Sequence, residues 1–407
     1  MEITRPEDVG VSSQGLERLT RHLESRYLSP GKIPGCLTLV ARRGRVVHCV
    51  AQGLMDRERE KPMTEETIFR IYSMSKPITS VALMMLAEEG ALQLSDPVHR
   101  YIPEWKNQRI YRGGNHPMFV TEPVQRPMTV HDLLTHMSGL TYGFMERTNV
   151  DAAYRKLGIG ERTAGPVLRD MIEALAELPL EFSPGTAWNY SVATDVVGYL
   201  VQTISGRPYD EFLRERIFEP LGMIDTGFTV RAGENERLAA CYARTPRKRT
   251  ILQDDPERSV YQGGVTFLSG GGGLVSTAHD YLRFCQMLIG GGELDGHRIL
   301  GPRTIDYMTR NHLPGGTDLA GMSTGMFSET TYEGTGFGLG FSVVLDPVAA
   351  RVISTGGEYA WGGAASTAFF IDPREELVVI FLTQLMPSHI FNFRGQIKQI
   401  VYASLLD

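Results

Sequence analysis

The pattern of hydrophobic and polar positions divides the chain into a strand-rich beginning, a helix-rich middle and a strand-rich end. Residues 36–43 and 46–53 are apolar runs joined by Arg43-Gly44, which predicts a β-hairpin. A leucine repeat at helical spacing over residues 12–28 precedes them. Near the C-terminus, β-branched and aromatic runs predict four strands, over residues 337–345, 351–355, 365–371 and 377–382. A closing helix is predicted over residues 390–405.

A helical stripe lies between Phe69 and Gly90. Apolar side chains recur there at i, i+3, i+4, i+7 and i+8, namely at Ile78, Val81, Ala82, Met85 and Leu86. Because glycine commonly follows the last turn of a helix, Gly90 is predicted to end this one. Ser73 and Lys76 then lie three residues apart in the first turn, on the same face.

This pair has the chemistry of nucleophilic catalysis. A serine hydroxyl attacks well only when a base takes its proton, and a suitably buried lysine amine can be that base. The N-terminus of a helix adds positive potential and N–H groups that can face an oxyanion. The Ser-x-x-Lys pattern is nevertheless common by chance, and alone it favours a capping serine beside a solvated lysine.

The middle of the chain mixes loops with helices. Five X-Pro steps between residues 96 and 127 predict a loop-rich excursion. Thr129 and Asp132 are predicted to form a capping box for a short helix, and Thr277 with Asp280 is predicted to cap another. Further helices are predicted over residues 164–178, 193–204 and 209–217.

Two features of this middle region resemble ligand sites, yet each is better explained by structure. His131 and His136 lack the i, i+4 spacing of a metal-binding pair, and no acidic partner follows, so a structural role is predicted. The glycine run at residues 270–273 lacks the lysine and the spacing of a phosphate loop. It is predicted to pass close to another backbone or to adopt positive φ.

Strands at both ends with helices between them predict an α+β fold built on one antiparallel sheet made from both chain ends. The predicted sheet domain comprises residues 1–91 and 333–407, and a mainly helical domain, residues 92–332, is inserted into it. No internal repeat is apparent in the sequence.

Composition narrows the range of partners. The 407 residues are 42% hydrophobic and 22% charged, which is typical of a soluble globular protein. The formal net charge of -6 argues against nucleic-acid binding. The four cysteines are scattered and are predicted to be reduced. The N-terminus lacks an apolar leader and no run is long enough to span a bilayer, so a cytoplasmic enzyme without membrane association is expected. No oligomeric state is predicted.

Several motifs follow Ser73-Met-Ser-Lys76 in a fixed order. They are His131-Asp-Leu-Leu-Thr-His-Met-Ser-Gly-Leu140, Phe182-Ser-Pro-Gly185, Tyr190-Ser191, Gly270-Gly-Gly-Gly-Leu-Val-Ser-Thr-Ala278 and Trp361-Gly362-Gly363. Across nearly the whole chain this set resembles the serine β-lactamase and penicillin-binding-protein superfamily. The likeness is greatest to its family VIII carboxylesterases, which are related to class C β-lactamases. The resemblance implies a β-lactamase/transpeptidase-like fold, an active site between the two predicted domains, and no cofactor or metal.

The resemblance also implies roles for individual residues. Ser73 would be the nucleophile, and Lys76 and Tyr190 would share the transfer of protons. Backbone N–H groups of Ser73 and Ala364 would hold the oxyanion.

Two departures from the β-lactamase pattern bear on the substrate. Val192 stands where β-lactamases keep an asparagine, and Trp361-Gly362-Gly363 replaces Lys/His-Thr-Gly. Valine offers no side-chain hydrogen bond, and tryptophan replaces a positive charge with an apolar wall. Trp361, Gly362, Gly363 and Val192 are therefore predicted to bind an uncharged substrate.

The expected activity is hydrolysis of small, neutral, short-chain carboxylic esters through an acyl-enzyme on Ser73. Lys76 and Tyr190 both stay open as the general base, because coupled groups titrate as a unit. Acyl transfer to an alcohol is an alternative, and so is amide hydrolysis by a β-lactamase or D-amino-acid peptidase, which Val192 and Trp361 disfavour. A non-enzymatic binding protein conflicts with the joint presence of Ser73, Lys76 and Tyr190.

A second serine lies in a Gly-x-Ser-x-Gly pattern at residues 321–325. That pattern marks a nucleophile only when a strand enters it and a helix leaves it. Proline and glycine precede it, and residues 326–331 show no helical periodicity. Ser323 is therefore not predicted to be the nucleophile.

Overall fold

The fold is organised around an antiparallel sheet whose strands come from both ends of the chain. A computed structural model describes residues 2–160, 165–325 and 332–407. Its helices are α1 Ser13–Leu23, α2 Ser75–Glu88, α3 Val130–Leu134, α4 Asn149–Leu157, α5 Leu168–Ala176, α6 Ala193–Ser205, α7 Tyr209–Leu213, α8 Glu219–Leu221, α9 Ala278–Ile289, α10 Pro302–Met308, α11 Leu319–Met322, α12 Pro347–Ala350 and α13 Phe393–Tyr402.

The strands follow the same order along the chain. They are β1 Gly35–Arg42, β2 Arg45–Asp56, β3 Lys61–Pro62, β4 Phe69–Arg70, β5 Arg109–Asn115, β6 Met118–Pro123, β7 Cys241–Arg244, β8 Thr250–Asp254, β9 Val275–Ser276, β10 Glu293–Leu294, β11 His297–Arg298, β12 Thr335–Phe337, β13 Ser342–Val344, β14 Tyr359–Gly362, β15 Ala368–Asp372, β16 Leu377–Thr383 and β17 Leu385–Met386.

The central sheet has eight strands within the described residues, in the order β12-β13-β14-β15-β16-β1-β2-β3. Each neighbouring pair is antiparallel. β1 lies between β2, its neighbour along the chain, and β16, where Leu39 is opposite Ile380. All eight residues of β1 are buried, because helices cover both faces of the sheet. The predicted α+β fold with a sheet made from both chain ends is confirmed.

Two hydrophobic clusters lie on the two faces of this sheet. On one face, Leu19 of α1 and Ile397 of α13 belong to the same buried cluster. On the other, a larger cluster joins Leu39 of the sheet to Ile78 of α2 and Val196 of α6. The sheet and the helical region therefore share one core, and the domain boundaries at residues 91 and 333 stay a prediction.

Local signals in the sequence correspond well to the ends of helices. Ser12 caps α1 by accepting a hydrogen bond from the N–H of Gly15, and Thr277 caps α9 in the same way. Thr129 and Asp132 form the predicted capping box of α3. The predicted helix over residues 164–178 is the shorter α5, and residue 164 lies outside the described residues.

The predicted strand at residues 351–355 is wrong. Asp346 accepts hydrogen bonds from the N–H groups of Val348 and Ala349 and so begins the short helix α12. Arg351 ends this helix in the left-handed conformation, with φ of 55°. The sheet resumes only at β14, which contains Trp361.

The proline-rich excursion also contains more structure than predicted. Within residues 96–127, β5 and β6 pair as a hairpin, with Ile110 opposite Glu122. The basic cluster Arg244, Arg247, Lys248 and Arg249, whose position the sequence did not indicate, lies at the end of β7 and in the exposed turn before β8.

The four cysteines are buried thiols, as predicted for reduced side chains. None of the helices in the described part of the chain is both long enough and apolar enough to cross a membrane.

Candidate active site

Ser73 lies in a 3-10 turn, Tyr72–Met74, that joins β4 to α2. Tyr72 has a φ of 46°, which is rare for a residue with a side chain and bends the chain sharply before Ser73. Neighbouring side chains hold this turn: the Tyr281 hydroxyl donates to the Met74 carbonyl at 2.9 Å, and the Thr367 hydroxyl donates to the Ile71 carbonyl at 3.2 Å. Ser73 thus precedes the first residue of α2, Ser75, instead of lying within its first turn.

Lys76 is buried beneath Ser73, with 1% of its surface exposed. Its side-chain nitrogen Nζ lies 3.2 Å from Ser73 Oγ, 3.0 Å from the Tyr142 hydroxyl and 2.6 Å from the carbonyl oxygen of Gly271. Lys76 is therefore not solvated, and the interpretation that the Ser-x-x-Lys pattern favours when taken alone does not apply. Its nitrogen is enclosed by hydrogen-bonding groups of the protein.

Tyr190 approaches Ser73 from the other side. Its hydroxyl donates to Ser73 Oγ at 2.6 Å, and the Lys76 nitrogen lies 4.5 Å from the centre of its ring. Burial raises the pKa of Tyr190 above the ordinary value, and the hydrogen bond to Ser73 offsets part of this rise. Tyr190 is therefore a neutral hydrogen-bond donor at neutral pH.

Aromatic rings hold Tyr190 in place. Its ring centre lies 5.0 Å from that of His136, 5.5 Å from Trp361 and 6.3 Å from Trp188. Burial lowers the pKa of His136 well below its usual value, and the charge of Lys76 lowers it further. His136 is therefore a neutral packing residue behind Tyr190, in agreement with the structural role predicted for it.

The glycine run at residues 270–273 passes close to other atoms, as predicted. A Cβ atom on Gly270 would lie 2.6 Å from the Thr194 carbonyl oxygen, and one on Gly271 would lie 2.7 Å from Asp195 Oδ2. Within this run, the carbonyl of Gly270 accepts from the Thr79 hydroxyl at 2.7 Å. The run therefore forms a wall that only glycine could build at these distances.

Asp195 is a site residue that the sequence analysis missed. It lies in the first turn of α6 with 2% of its surface exposed, and it accepts hydrogen bonds from the N–H of Gly271 at 2.9 Å and from the Ser269 hydroxyl. Because Gly271 also accepts from Lys76, Asp195 fixes the backbone that holds the lysine. In the sequence, its position five residues after Tyr190 could have indicated that Asp195 lies in the site.

Tyr142 was also missed. It lies in a loop between α3 and α4, where hydrophobic periodicity gives no information. Its hydroxyl contacts Lys76, and its ring centre lies 5.2 Å from that of Tyr190. Only the folded structure brings this loop tyrosine to the lysine.

Trp361, Gly362 and Gly363 differ from the following residue, Ala364, in where they lie relative to the cleft. Ala364 lines the same cleft as Ser73. Trp361 lies outside the cleft lining and packs on Tyr190. Gly362 makes room for the Arg394 guanidinium, which would lie 2.1 Å from a Cβ atom at this position. A Cβ on Gly363 would lie 2.4 Å from the Ile71 carbonyl oxygen, so this glycine permits close approach to the Ser73 turn.

Val192 is completely buried and lies behind the cleft wall. Its Cγ1 would be 3.2 Å from a Cβ at Gly160, and Gly160 with Ile159 lines the cleft. Both Val192 and Trp361 therefore shape the site from behind the lining residues.

The mouth of the cleft carries Phe144, Glu146 and Arg155. Arg155 donates to the Asp151 carboxylate at 2.9 Å and to the Gly143 carbonyl, so its charge is paired. The cations of the β7–β8 hairpin are absent from the lining of this cleft.

Other sequence candidates lie elsewhere. The Ser323 hydroxyl donates to the Gly325 carbonyl at 2.7 Å, and residues 326–331 after it lie outside the described residues. His131 Nε2 lies 3.1 Å from His312 Nδ1. Across residues 2–160, 165–325 and 332–407, no three His, Cys, Asp or Glu side chains are grouped to hold a metal ion.

A buried Ser-Lys-Tyr cluster, at the start of a helix beside an antiparallel sheet, is the arrangement of the β-lactamase fold. The chain belongs to the beta-lactamase family, which matches residues 20–398. Protein Rv1367c of Mycobacterium tuberculosis (strain ATCC 25618 / H37Rv) is 37% identical over 360 residues, covering 88% of this chain and 87% of that protein. Esterase EstB of Burkholderia gladioli is 33% identical over 372 residues, covering 86% of this chain and 86% of that protein.

A solved structure shows the same architecture. EstCE1, a hydrolase with promiscuous acyltransferase activity, has a TM-score of 0.79 and 28% identity, over 96% of this chain and 99% of that chain. The resemblance to esterase-like members of the family is thus confirmed.

Proposed function

We propose that this protein is a serine hydrolase that cleaves small, neutral, short-chain carboxylic esters through an acyl-enzyme on Ser73. The observation that carries the proposal is the position of Ser73 Oγ, 2.6 Å from the Tyr190 hydroxyl and 3.2 Å from Lys76 Nζ. The similarity to EstB and EstCE1 supports ester hydrolysis or acyl transfer at the level of the family.

The hydrogen bonds favour Lys76 as the base. The Gly271 carbonyl can only accept, so one N–H of Lys76 always points to it. An ammonium would also donate to Ser73 and Tyr142, whereas a neutral amine could accept the Ser73 proton through its lone pair. Because Tyr190 is a neutral phenol that already donates to Ser73, the proton of Ser73 is left to point at Lys76.

The two steps follow from this arrangement. Lys76 takes the Ser73 proton as Oγ attacks the ester carbonyl, and Tyr190 donates its proton to the departing alkoxide. Lys76 then passes its proton to the Tyr190 phenolate, which restores the pair while Ser73 Oγ is held in the acyl ester. In the second step, water gives up a proton to the same pair as it attacks the acyl carbonyl, and the pair returns a proton to Ser73 Oγ as the carboxylic acid leaves.

The backbone N–H groups of Ser73 and Ala364 would hold the oxyanion of the tetrahedral intermediate. Both residues line the cleft from opposite elements, the turn before α2 and the segment after β14. Losing one such donor typically costs about a hundredfold in rate.

The charges around the cleft favour neutral substrates. Arg155 is the cation of the described cleft lining, and its guanidinium is paired with Asp151. Glu146 and Asp195 add negative charge to the same lining. An anionic lactam would therefore bury its carboxylate without a cationic partner, and that desolvation cost disfavours it.

Acyl transfer is the second candidate. It needs an alcohol to replace water in the second step, and the promiscuous acyltransferase activity named for EstCE1 favours considering it. Product analysis with a competing primary alcohol would distinguish the two, because transfer yields a new ester and hydrolysis yields the free acid.

The deciding experiment compares kcat/KM for p-nitrophenyl acetate and for a chromogenic cephalosporin in the wild-type protein. We expect the neutral ester to be turned over at least about a hundredfold more efficiently. Equal efficiency on the cephalosporin would replace the esterase proposal with a β-lactamase. If the protein turned over neither compound, both the esterase and the β-lactamase activity would be contradicted.

A further inference from the structure

Three aromatic rings form a row that leads from the nucleophile to the mouth of the cleft. Tyr190 contacts Ser73, Tyr142 lies 5.2 Å from Tyr190, and Phe144 lies 4.6 Å from Tyr142 with the two ring planes 19° apart. Phe144 is thus stacked at the outer end of the row. Its ring is 55% exposed and lines the cleft.

An exposed phenylalanine is ordinary on a protein surface, so exposure alone says little. The position of Phe144 is what distinguishes it. The ring lies in a 3-10 turn, Gly143–Met145, whose first carbonyl accepts from Arg155. Tyr142 holds one face of Phe144 and is itself held by Lys76. The ring is therefore fixed before any substrate arrives, which lowers the entropic cost of binding to it.

We infer that Phe144 is the platform for the alcohol part of the ester and that the site prefers alcohol groups with a flat aromatic ring. This inference rests on the proposed ester hydrolysis. Tyr190 must reach the leaving alkoxide, so the alcohol part of the ester occupies the Tyr190 side of Ser73. The row of rings begins at Tyr190, so the alcohol part extends along it towards Phe144.

Part of the remaining cleft lining is small or apolar. Gly160 contributes no side chain to the cleft wall, and Val192 fills the volume behind it. Ile159 adds an apolar surface. A ring stacked on Phe144 would gain offset-stacking energy in addition to the burial of its apolar area.

The test measures kcat and KM for three neutral esters with wild type and Phe144→Ala. Ethyl phenylacetate carries the ring on the acyl side, benzyl acetate carries it on the alcohol side, and ethyl acetate carries none. For Phe144→Ala we expect kcat/KM on benzyl acetate to fall about tenfold, mainly through KM, and the other two to change less than about twofold. Phe144→Tyr keeps the ring and should restore the preference.

Tyr307→Ala is the matched control. Tyr307 is 46% exposed and lies 4.6 Å from the His312 ring, outside the cleft. It should leave the ratio of the three esters unchanged.

The outcomes separate this inference from the proposed function. If wild type hydrolyses no ester, the proposed function fails. If it hydrolyses esters but Phe144→Ala leaves the preference for benzyl acetate intact, the platform is wrong and ester hydrolysis stands. A loss confined to ethyl phenylacetate would overturn the alcohol-side assignment.

Discussion

The floor of the cleft and its mouth are built in opposite ways. The floor comprises Ser73, Lys76, Tyr190, Asp195 and Gly271, and it is buried and joined by short hydrogen bonds. The mouth comprises Phe144, Glu146 and Arg155, and Phe144 is more than half exposed there. Lys76, by contrast, exposes 1% of its surface. The floor fixes where protons can move, and the mouth leaves room for the choice of substrate.

This difference separates the chemistry from the selectivity. Substitutions in the floor should lower the rate for every substrate, because they remove groups that act on the reacting atoms. Substitutions in the mouth should change the ranking of substrates and leave the basal rate intact. The predictions below test the floor, from the largest effect to the smallest.

Ser73→Ala should abolish ester hydrolysis, with a loss of at least about 10⁴-fold in kcat, because it removes the nucleophile. Mass spectrometry of the wild type after treatment with a serine-reactive phosphonate should locate the adduct on Ser73. Ser323→Ala is the matched control and should remain active and labelled. An adduct on Ser323, or an active Ser73→Ala variant, would refute the assignment.

Lys76→Ala and Tyr190→Phe should each lower kcat by about 10³-fold, and the double variant should be little worse than either single one. Groups that act as one proton-handling unit are strongly non-additive. The measurement is a double-mutant cycle on a single neutral ester. If the two losses add in free energy, Lys76 and Tyr190 act independently and the proposed exchange of a proton between them is wrong.

Asp195→Ala should lower kcat about 10- to 100-fold with little change in KM, because the Gly271 backbone would lose its anchor beneath Lys76. Asp195→Asn keeps an acceptor oxygen and should restore most of the rate. Should the asparagine variant be as slow as the alanine variant, Asp195 would act through its charge and not through the position of Gly271.

The smallest effect concerns stability and pH. The pKa of His136 is lowered in the folded state, so the unfolded chain binds a proton that the folded chain excludes. The stabilising contribution is complete above the unfolded pKa of about 6.5 and is lost as the pH falls below it. The slope of Tm against pH between pH 7 and pH 5 should be shallower in His136→Gln than in the wild type. An unchanged slope would show that His136 takes up a proton without cost.

The sequence predicted the floor better than the mouth. Ser73, Lys76 and Tyr190 belong to motifs with fixed spacing, and the structure brings them together. Tyr142 and Phe144 lie in a loop, where neither periodicity nor capping signals indicate position. Arg155 of α4 donates a hydrogen bond to the carbonyl of Gly143 between them, a tertiary contact that no local pattern encodes.

The fold shows a similar division. The hairpin β1–β2, the helix α2 and the capping residues follow local rules, so they could be read from neighbouring residues. The strand predicted at residues 351–355 failed because Val352 and Ile353 suggest a strand, whereas the cap at Asp346 and the left-handed Arg351 set the local path. Trp361 was predicted to bind the substrate; its ring packs on Tyr190 with 5.5 Å between the ring centres, a long-range contact that the sequence did not indicate, and its role towards the substrate stays a prediction.

The pairing of β1 with β16 has a consequence for the order of folding. β1 can form its hairpin with β2 early, but its other edge waits for a strand more than 300 residues later, with Leu39 opposite Ile380. Contacts of such large sequence separation form slowly, and an apolar strand with an open edge is a template for aggregation. A nascent chain would therefore expose this edge until β16 has been synthesised. Chains that end before β16 should consequently depend on chaperones.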